Sequence, residues 1–339
     1  MEMRLGLGTA FGTFGELLQG VLPEADGGQD GDFLVTLPIA RWTMAAFRTE
    51  TDGGALTVAP ARKRKSLRLA RMIAADAGYD GGGRLTVNSV IPQGKGLASS
   101  SADLVATARA VGAGLGVRLS ARRIERYLAR IEPSDGVLYP GVVAYHHRSV
   151  RLRAVLGSLP AMTVVGIDEG GTVDTIAFNR RPKPFTSRDR ETYARLLDRL
   201  TVAVRRGDLA EVGAVASQSA LMNQVLRPKP SLAPLLAVCR EVGGLGVAVG
   251  HSGTTLGLLL DAADPDHAAR THAAAQACAE LAGKVSVYRT LSFAGVAADR
   301  GPGSARLVDT LRADPLDAVH APAAEVGQRF VEGDAVLRE

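Results

Sequence analysis

Apolar and polar positions along the chain predict a mixture of strands and helices. Residues 5–60 favour strands and turns, because residues 6–15 are rich in glycine and residues 33–47 alternate between apolar and polar in the manner of a β-strand. Between these segments, the glycines and acidic residues of 24–32 predict a mobile hairpin loop at Gly27–Gly31. The first sixty residues therefore predict a β-rich start.

Helices and strands alternate through the rest of the chain. Helices are predicted at 66–77, 103–113, 120–131 with Ser120 as N-cap, 187–206, 209–225, 231–242, 264–281 with Asp264 as N-cap, and 304–312 in the tail. Strands are predicted at 84–91, 141–145, 161–167, 246–249, 254–261 and 285–292. This order predicts an α+β protein of two domains, residues 1–155 and 156–339.

Composition narrows the class of protein. The 339 residues are 46% hydrophobic and 22% charged, which is typical of a soluble globular chain. No apolar run approaches the ~20 residues of a membrane span, and no signal peptide is evident at the start. We therefore expect a cytoplasmic monomer or homodimer that has no membrane partner, with Cys239 and Cys278 as buried thiols.

A basic run at Arg62–Lys65 stands out against a net charge of only +5. Such a run raises the hypothesis of nucleic-acid binding. However, no aromatic platform and no second basic stripe accompany it. We expect the run to lie in solvent at the start of the next helix, and we expect no nucleic-acid partner.

The most informative stretch is Pro92–Ala102, Pro-Gln-Gly-Lys-Gly-Leu-Ala-Ser-Ser-Ser-Ala. It links a predicted strand to an alanine-rich helix, and the free N–H groups and dipole of a helix N-terminus favour anions. Gly94 and Gly96 let a backbone approach a phosphate closely, and three serines follow. It is neither a Walker loop nor a dinucleotide fingerprint. A phosphate site and an ordinary capped turn both remain open on this stretch alone.

Three other segments carry chemically reactive side chains: Gly15–Gly20, Glu132–Gly136 and Gly250–Gly253. In this order, with Pro92–Ala102, they resemble the GHMP kinases, the superfamily of galactokinase, homoserine kinase and mevalonate kinase. Pro92–Ala102 matches that superfamily's Pro-x-x-x-Gly-Leu-(Gly/Ala)-Ser-Ser-x-Ala loop. The branch that the chain is most similar to is the L-threonine kinases of propanediol utilisation and cobalamin synthesis, on these motifs and on residues 219–224, 228–230 and 251–261.

The resemblance covers residues 10–262 and implies a fold and an activity. The implied fold has a ribosomal-S5-like N-terminal domain and a ferredoxin-like C-terminal domain. The implied activity is ATP-dependent phosphorylation of the side-chain hydroxyl of free L-threonine, which yields O-phospho-L-threonine for the cobalamin linker. Two alternatives remain: another acceptor such as homoserine, serine or an amino alcohol, or a non-catalytic sensor that retains the fold.

Transfer of a γ-phosphoryl group needs a phosphate cradle, Mg²⁺ and a group that orients or deprotonates the acceptor hydroxyl. The resemblance implies that ATP binds at Pro92, Gly94, Lys95, Gly96, Leu97, Ala98, Ser99, Ser100 and Ser101. It also implies that Ser100 and Glu132 hold Mg²⁺, which prefers a few hard oxygen ligands. Lys95 either meets the triphosphate or is a solvated loop lysine.

Asp135 is the candidate general base for the acceptor hydroxyl. The alternative is an ordinary turn, because Asp135-Gly136 is a common turn dipeptide. Relatives of mevalonate kinase carry the aspartate two residues further on, whereas the threonine-kinase branch has the shorter Glu-Pro-Ser-Asp form found here. The resemblance therefore favours catalysis.

A zwitterionic acceptor needs a carboxylate for its ammonium group and donors for its carboxylate. Glu16 suits the first task and Gln19 either task, while His251, Ser252 and nearby amides suit the second. His251 is alternatively a hydrogen-bonded turn residue, and Asn223 either reaches the acceptor or caps a helix. His146 and His147 alternate in direction along a strand and do not form a plausible metal pair.

Overall fold

The structure is a computed structural model that describes residues 3–23, 31–50, 54–171 and 183–293. The helices are α1 Arg64–Asp76, α2 Ser99–Leu115, α3 Ala121–Ala129, α4 Ser187–Arg206, α5 Leu209–Met222, α6 Leu232–Glu241 and α7 His267–Ala282. The strands are β1 Leu5–Val21, β2 Asp32–Glu50, β3 Leu56–Ala59, β4 Gly82–Ser89, β5 Val142–His146, β6 Arg151–Gly157, β7 Met162–Asp168, β8 Gly246–Val249, β9 Thr255–Asp261 and β10 Val285–Arg289. The predicted helix at 304–312 and most of the predicted hairpin loop at 27–31 lie outside the described residues.

The strands form a ten-stranded sheet in the order β10-β7-β9-β8-β1-β2-β4-β3, and β5 pairs with β2 and β6. Within the described ranges, every strand pair is antiparallel except β3 with β4. β1 and β8 share a single paired position, Glu16 with Val249. The second half of the chain is therefore paired with β1 of the first half at Glu16.

Glycines in β1 serve close packing. Residues 6–15 were expected to include turns, yet β1 is continuous from Leu5 to Val21. A Cβ on Gly6 or Gly8 would overlap the backbone of α2. The missing side chains let α2 lie directly on the sheet, and this contact places the N-terminus of α2 beside the middle of β1.

Two element boundaries depend on local hydrogen bonds. Ser120 caps α3 as predicted, since its side chain accepts from the amide of Arg123. The predicted cap of α7 at Asp264 is wrong. The Asp264 carboxylate accepts from the amide of Asp266 at 2.8 Å, so the chain makes a turn first and α7 begins at His267.

The predicted domain boundary near residue 155 falls inside β6, which pairs with β5 of the first half. We therefore propose the boundary between β6 and β7. The larger cluster of buried apolar side chains contains residues of both halves, whereas the smaller cluster belongs to the second half and lies between α6, α7 and the strands β7, β8 and β9. Cys239 and Cys278 are buried free thiols in it, as predicted.

No helix in the described part of the chain has the length and apolar character needed to cross a membrane.

Candidate active site

A cavity of about 250 Å³ opens where the four motif segments meet. It is lined by Glu16, Lys65, Gly94, Gly96, Leu97, Ala98, Ser99, Ser100, Ser101, Glu132, Pro133, Ser134, Asp135, His147, His251 and Ser252. Most of the predicted site residues are therefore brought together. Pro92, Lys95, Gln19 and Asn223 are the predicted residues that do not line it.

The phosphate loop, residues 92–98, turns tightly before α2. Gly94, Gly96 and Ala98 have positive φ values of 71°, 82° and 57°. The loop is anchored to β1, because the amides of Thr13 and Gly15 donate to the carbonyls of Leu97 and Gly96 at 3.3 and 3.2 Å. These bonds hold the first N–H groups of α2 at the cavity, as an anion site requires.

A loop of the second half, residues 250–253, packs onto the phosphate loop. A Cβ on Gly253 would overlap the backbone of Lys95 and Gly96. Thr255 donates its hydroxyl to the Lys95 carbonyl at 2.8 Å, and the buried ammonium of Lys229 donates to the Gly253 carbonyl at 2.8 Å. Burial lowers the pKa of Lys229 to about 8. The two halves therefore shape one wall of the cavity together.

The side chain of Lys95 lies away from the cavity. Its ammonium is 2.6 Å from the carboxylate of Asp168 at the end of β7, and it donates to the Gly171 carbonyl at 2.9 Å. Neither expectation for Lys95 describes this arrangement, because the lysine joins the phosphate loop to the second half. Pro92 is exposed at the start of the loop.

Ser100, Glu132 and Lys65 form a polar chain at the cavity. The Ser100 hydroxyl donates to Glu132 Oε1, and the Lys65 ammonium pairs with Glu132 Oε2. A serine hydroxyl and one carboxylate are the kind of small, hard-oxygen donor set that suits Mg²⁺, which keeps several waters and binds phosphate. The predicted metal ligands therefore fit the ion.

Asp135 is held by Ser101, which follows Ser100 at the start of α2. Its amide donates to Ser101 Oγ at 3.0 Å, and Ser101 Oγ lies 3.3 Å from Asp135 Oδ2. Burial raises the pKa of Asp135 to about 6; the Ser101 hydrogen bond opposes this rise and the charge of Glu132 adds to it. Asp135 is thus a stronger base than an ordinary aspartate and is still ionised at neutral pH.

Glu16 presents a buried carboxylate to the same cavity. Only 3% of the residue is exposed, and no described donor reaches Oε2. Burial and then the charge of Asp135 raise the pKa of Glu16 well above its ordinary value. A cationic ligand in the cavity would supply the missing partner.

His251 is oriented from behind by Gln19. The Gln19 side-chain NH₂ donates to the Val249 carbonyl at 3.3 Å, so its oxygen faces His251 Nδ1 at 2.6 Å. Burial, then the positive charge of His147, lowers the pKa of His251 well below its ordinary value. Neutral His251 therefore carries its proton on Nδ1 and presents Nε2 as an acceptor.

Asn223 supports Gln19 from the end of α5. Its side-chain NH₂ lies 2.9 Å from the Gln19 carbonyl and 2.8 Å from the Ser219 carbonyl. Gln19 is predicted to contact the acceptor, and Asn223 either to reach it or to cap a helix; Asn223 is the C-cap residue of α5. The structure places both behind the residues that line the cavity, because their polar groups are used in holding β1 against α5 and the 250–253 loop.

Sequence reasoning missed His147 and Lys65 at the cavity. The His147 ring packs edge-on against that of His251, with the centroids 4.7 Å apart. His147 was considered only as half of a metal pair, although its neighbour in the fold is 104 residues away in sequence. The signal for Lys65 was the basic run; Lys65 is exposed at the start of α1, as expected, and it also lines the cavity, which the sequence analysis did not predict.

Two family models match the chain. One, described as GHMP kinases N terminal domain, covers residues 64–138, and the other, GHMP kinases C terminal, covers residues 200–280. The first contains the phosphate loop, Glu132 and Asp135. The second contains Lys229 and the 250–253 loop.

Two curated relatives are L-threonine kinases. That of Citrobacter freundii is 30% identical over 182 residues, which is 52% of this chain and 62% of the relative. That of Salmonella typhimurium is 29% identical over 52% of this chain and 60% of the relative. The match therefore spans less than two thirds of their length. A solved homoserine kinase from Cytophaga hutchinsonii shares the fold with a TM-score of 0.64 at 16% identity, over 85% of this chain and 95% of that one.

Proposed function

Because the chain belongs to the GHMP kinases, we propose that it transfers the γ-phosphoryl group of ATP to the side-chain hydroxyl of free L-threonine. The observation that carries the proposal is the placement of Asp135, with its raised pKa, beside the serines at the start of α2. An acceptor hydroxyl near Asp135 then lies close to the anion site where the triphosphate binds.

Asp135 accepts the proton of the acceptor hydroxyl as the oxygen attacks the γ-phosphorus. The new O–P bond forms as the bond between phosphorus and the bridging β,γ-oxygen breaks, and ADP leaves with that electron pair. Ser101, which accepts from the backbone amide of Asp135 and contacts its Oδ2, fixes the direction of the carboxylate. Its raised pKa favours the proton transfer without neutralising the base at pH 7.

The start of α2 and the phosphate loop bind the phosphate oxygens through backbone N–H groups. Ser100 and Glu132 are the residues that would hold Mg²⁺. When bound, the ion offsets the charge of the triphosphate. Lys95 acts from outside the cavity, since its ion pair with Asp168 fixes the conformation of the phosphate loop.

Glu16 binds the ammonium group of the acceptor. The buried carboxylate with an unused oxygen supports this role, because an ammonium restores the hydrogen bond and stabilises the ionised form. His251 and Ser252 lie at the same cavity and are the candidate contacts for the rest of the amino acid. Gln19 and Asn223 act as positioning residues.

We favour L-threonine over other acceptors because both curated relatives are L-threonine kinases. Formation of O-phospho-L-threonine for cobalamin linker synthesis, a cytoplasmic location and a monomeric or homodimeric state complete the proposal. The alternatives are the same transfer to homoserine, serine or an amino alcohol, and a non-catalytic sensor.

A turnover assay with ATP and Mg²⁺ over L-threonine, L-serine, L-homoserine and related amino alcohols tests the proposal. We expect the highest kcat/KM for L-threonine. A preference for another acceptor would keep the phosphotransferase and reject the substrate. ATP binding without turnover of any acceptor would favour the sensor.

A further inference from the structure

One member of the basic run Arg62–Lys65, Lys65, lines the cavity. The run leads into α1, and Lys63 is buried, whereas Arg62, Arg64 and Lys65 are exposed, as expected of a run in solvent at a helix start. About half of the Lys65 side chain is exposed, at the cavity wall. The run therefore includes one cation that faces the proposed nucleotide site.

α1 is fixed in place by contacts on both sides. Lys63 forms a buried ion pair with Asp103, one turn into α2, and Asp103 also accepts from the Thr43 hydroxyl at 3.1 Å. Arg68 donates to the Arg130 carbonyl at 3.0 Å, two residues before Glu132. These contacts hold the N-terminus of α1 between the start of α2 and the segment that carries Glu132.

Lys65 uses this position to reach Glu132. Its ammonium pairs with Glu132 Oε2, while Oε1 accepts from Ser100. An ammonium here lies beside the first turn of α2, where the phosphates are proposed to bind. Among the described residues that line the cavity, Lys65 is the only lysine or arginine.

A bound triphosphate requires cations close to its oxygens. Lys95, the lysine within the phosphate loop, already has its ammonium between Asp168 and the Gly171 carbonyl. Lys65 has one carboxylate partner, and the three donors of an ammonium allow it to keep Glu132 while donating to a phosphate oxygen.

We propose that Lys65 is the lysine that binds the triphosphate of ATP, donating to a phosphate oxygen while it remains paired with Glu132. The inference rests on the proposed function, because it takes the cavity to be the nucleotide site. It assigns a phosphate-binding role to α1, outside the phosphate loop. The expected ligand class is a nucleoside di- or triphosphate, and the base is not contacted.

The test is calorimetric titration of ATP, ADP and adenosine into the full chain and into Lys65→Met, Lys65→Arg and Arg64→Met. Loss of a charge-assisted hydrogen bond should weaken ATP and ADP binding by about tenfold or more in Lys65→Met. Adenosine affinity should not change, and Lys65→Arg should restore much of the loss. Arg64→Met is the matched control, because it removes the same charge from an exposed neighbour.

Equal ATP affinity for Lys65→Met and the unaltered chain would overturn the assignment of Lys65 while leaving the kinase proposal intact. An equal loss in Lys65→Met and Arg64→Met would also overturn it, because the effect would then be one of net charge. Failure of the unaltered chain to bind ATP would instead reject the proposed function. Thermal denaturation of each variant separates these outcomes from a folding defect.

Discussion

Ser101 and Asp135 are joined by two contacts across 34 positions of the chain: the Asp135 amide donates to Ser101 Oγ at 3.0 Å, and this oxygen lies 3.3 Å from Asp135 Oδ2. The pair couples the proposed base to the helix start that is proposed to bind phosphate. One serine thereby orients the carboxylate and moderates the rise of its pKa.

Catalysis should depend on ionised Asp135. Since burial raises the pKa of this group to about 6, kcat should fall as the pH falls through about 6. Ser101→Ala removes a bond that lowers the pKa of Asp135, so the acid limb of the pH–rate profile should move to higher pH. An acid limb at the same pH in Ser101→Ala as in the unaltered chain would show that Ser101 does not influence the pKa of the titrating group.

Asp135→Asn removes the base and retains the shape of the side chain. We expect kcat to fall by about 100-fold to 10,000-fold, since general-base catalysis contributes on that order. ATP affinity should be nearly unchanged because Asp135 does not hold the phosphate loop. Asp198→Asn, on the exposed face of α4, is the matched control. Unchanged turnover in Asp135→Asn would remove this residue from the mechanism.

Glu16→Gln should stabilise the protein and impair the acceptor site. The pKa of Glu16 in the folded chain lies well above the ordinary value of 4.5, so folding disfavours its charged form. That unfavourable contribution is absent below pH 4.5 and grows as the pH rises toward the raised pKa.

Thermal denaturation at pH 5 and pH 8 measures the effect of Glu16→Gln. The Tm gain over the unaltered chain should be larger at pH 8, with a gain in the free energy of unfolding of about 1 kcal/mol or more. The KM for the amino acid should rise as well. A lower Tm at pH 8 would mean that the carboxylate already has a stabilising partner.

Gln19→Leu should affect the acceptor more than the nucleotide. The substitution leaves the buried N–H of His251 without its acceptor, which costs about 1–3 kcal/mol. We expect the KM for the acceptor to rise by about tenfold while the KM for ATP stays within about twofold. Gln218→Leu, on the exposed side of α5, is the control. A larger rise in the KM for ATP would place Gln19 in the nucleotide site.

Gly253→Ala should disturb the phosphate loop from the second half. The added Cβ overlaps backbone atoms of Lys95 and Gly96, and such overpacking costs about 1–3 kcal/mol. Nucleotide titration should therefore show weaker ATP binding. At Gly250 the nearest atom to an added Cβ is 3.3 Å away, so Gly250→Ala should cost less. The reverse order would show that the two loops do not depend on this contact.

Local patterns predicted the parts of the site that lie close together in sequence. The pattern in 92–102 predicted a loop that leads into a helix, although α2 begins at Ser99, four residues before the predicted start at 103. Glu132 and Asp135 contact the serines of this helix start. The glycines of β1 were misjudged, because whether a glycine makes a turn or admits a helix depends on what packs against it. For Gly6 and Gly8 the packing partner is α2, about a hundred residues away in the sequence.

The sequence by itself determined the family, through the resemblance of its motifs, and the residue types available for phosphoryl transfer, because short motifs are read from residues that are neighbours in the chain. Only the tertiary structure decided which charged groups meet. Lys95 pairs with Asp168, Lys65 with Glu132, and Gln19 with His251 across 232 positions. Such pairings follow from how strands and helices pack together, since a buried charge or polar group takes whichever partner that packing brings within hydrogen-bond distance.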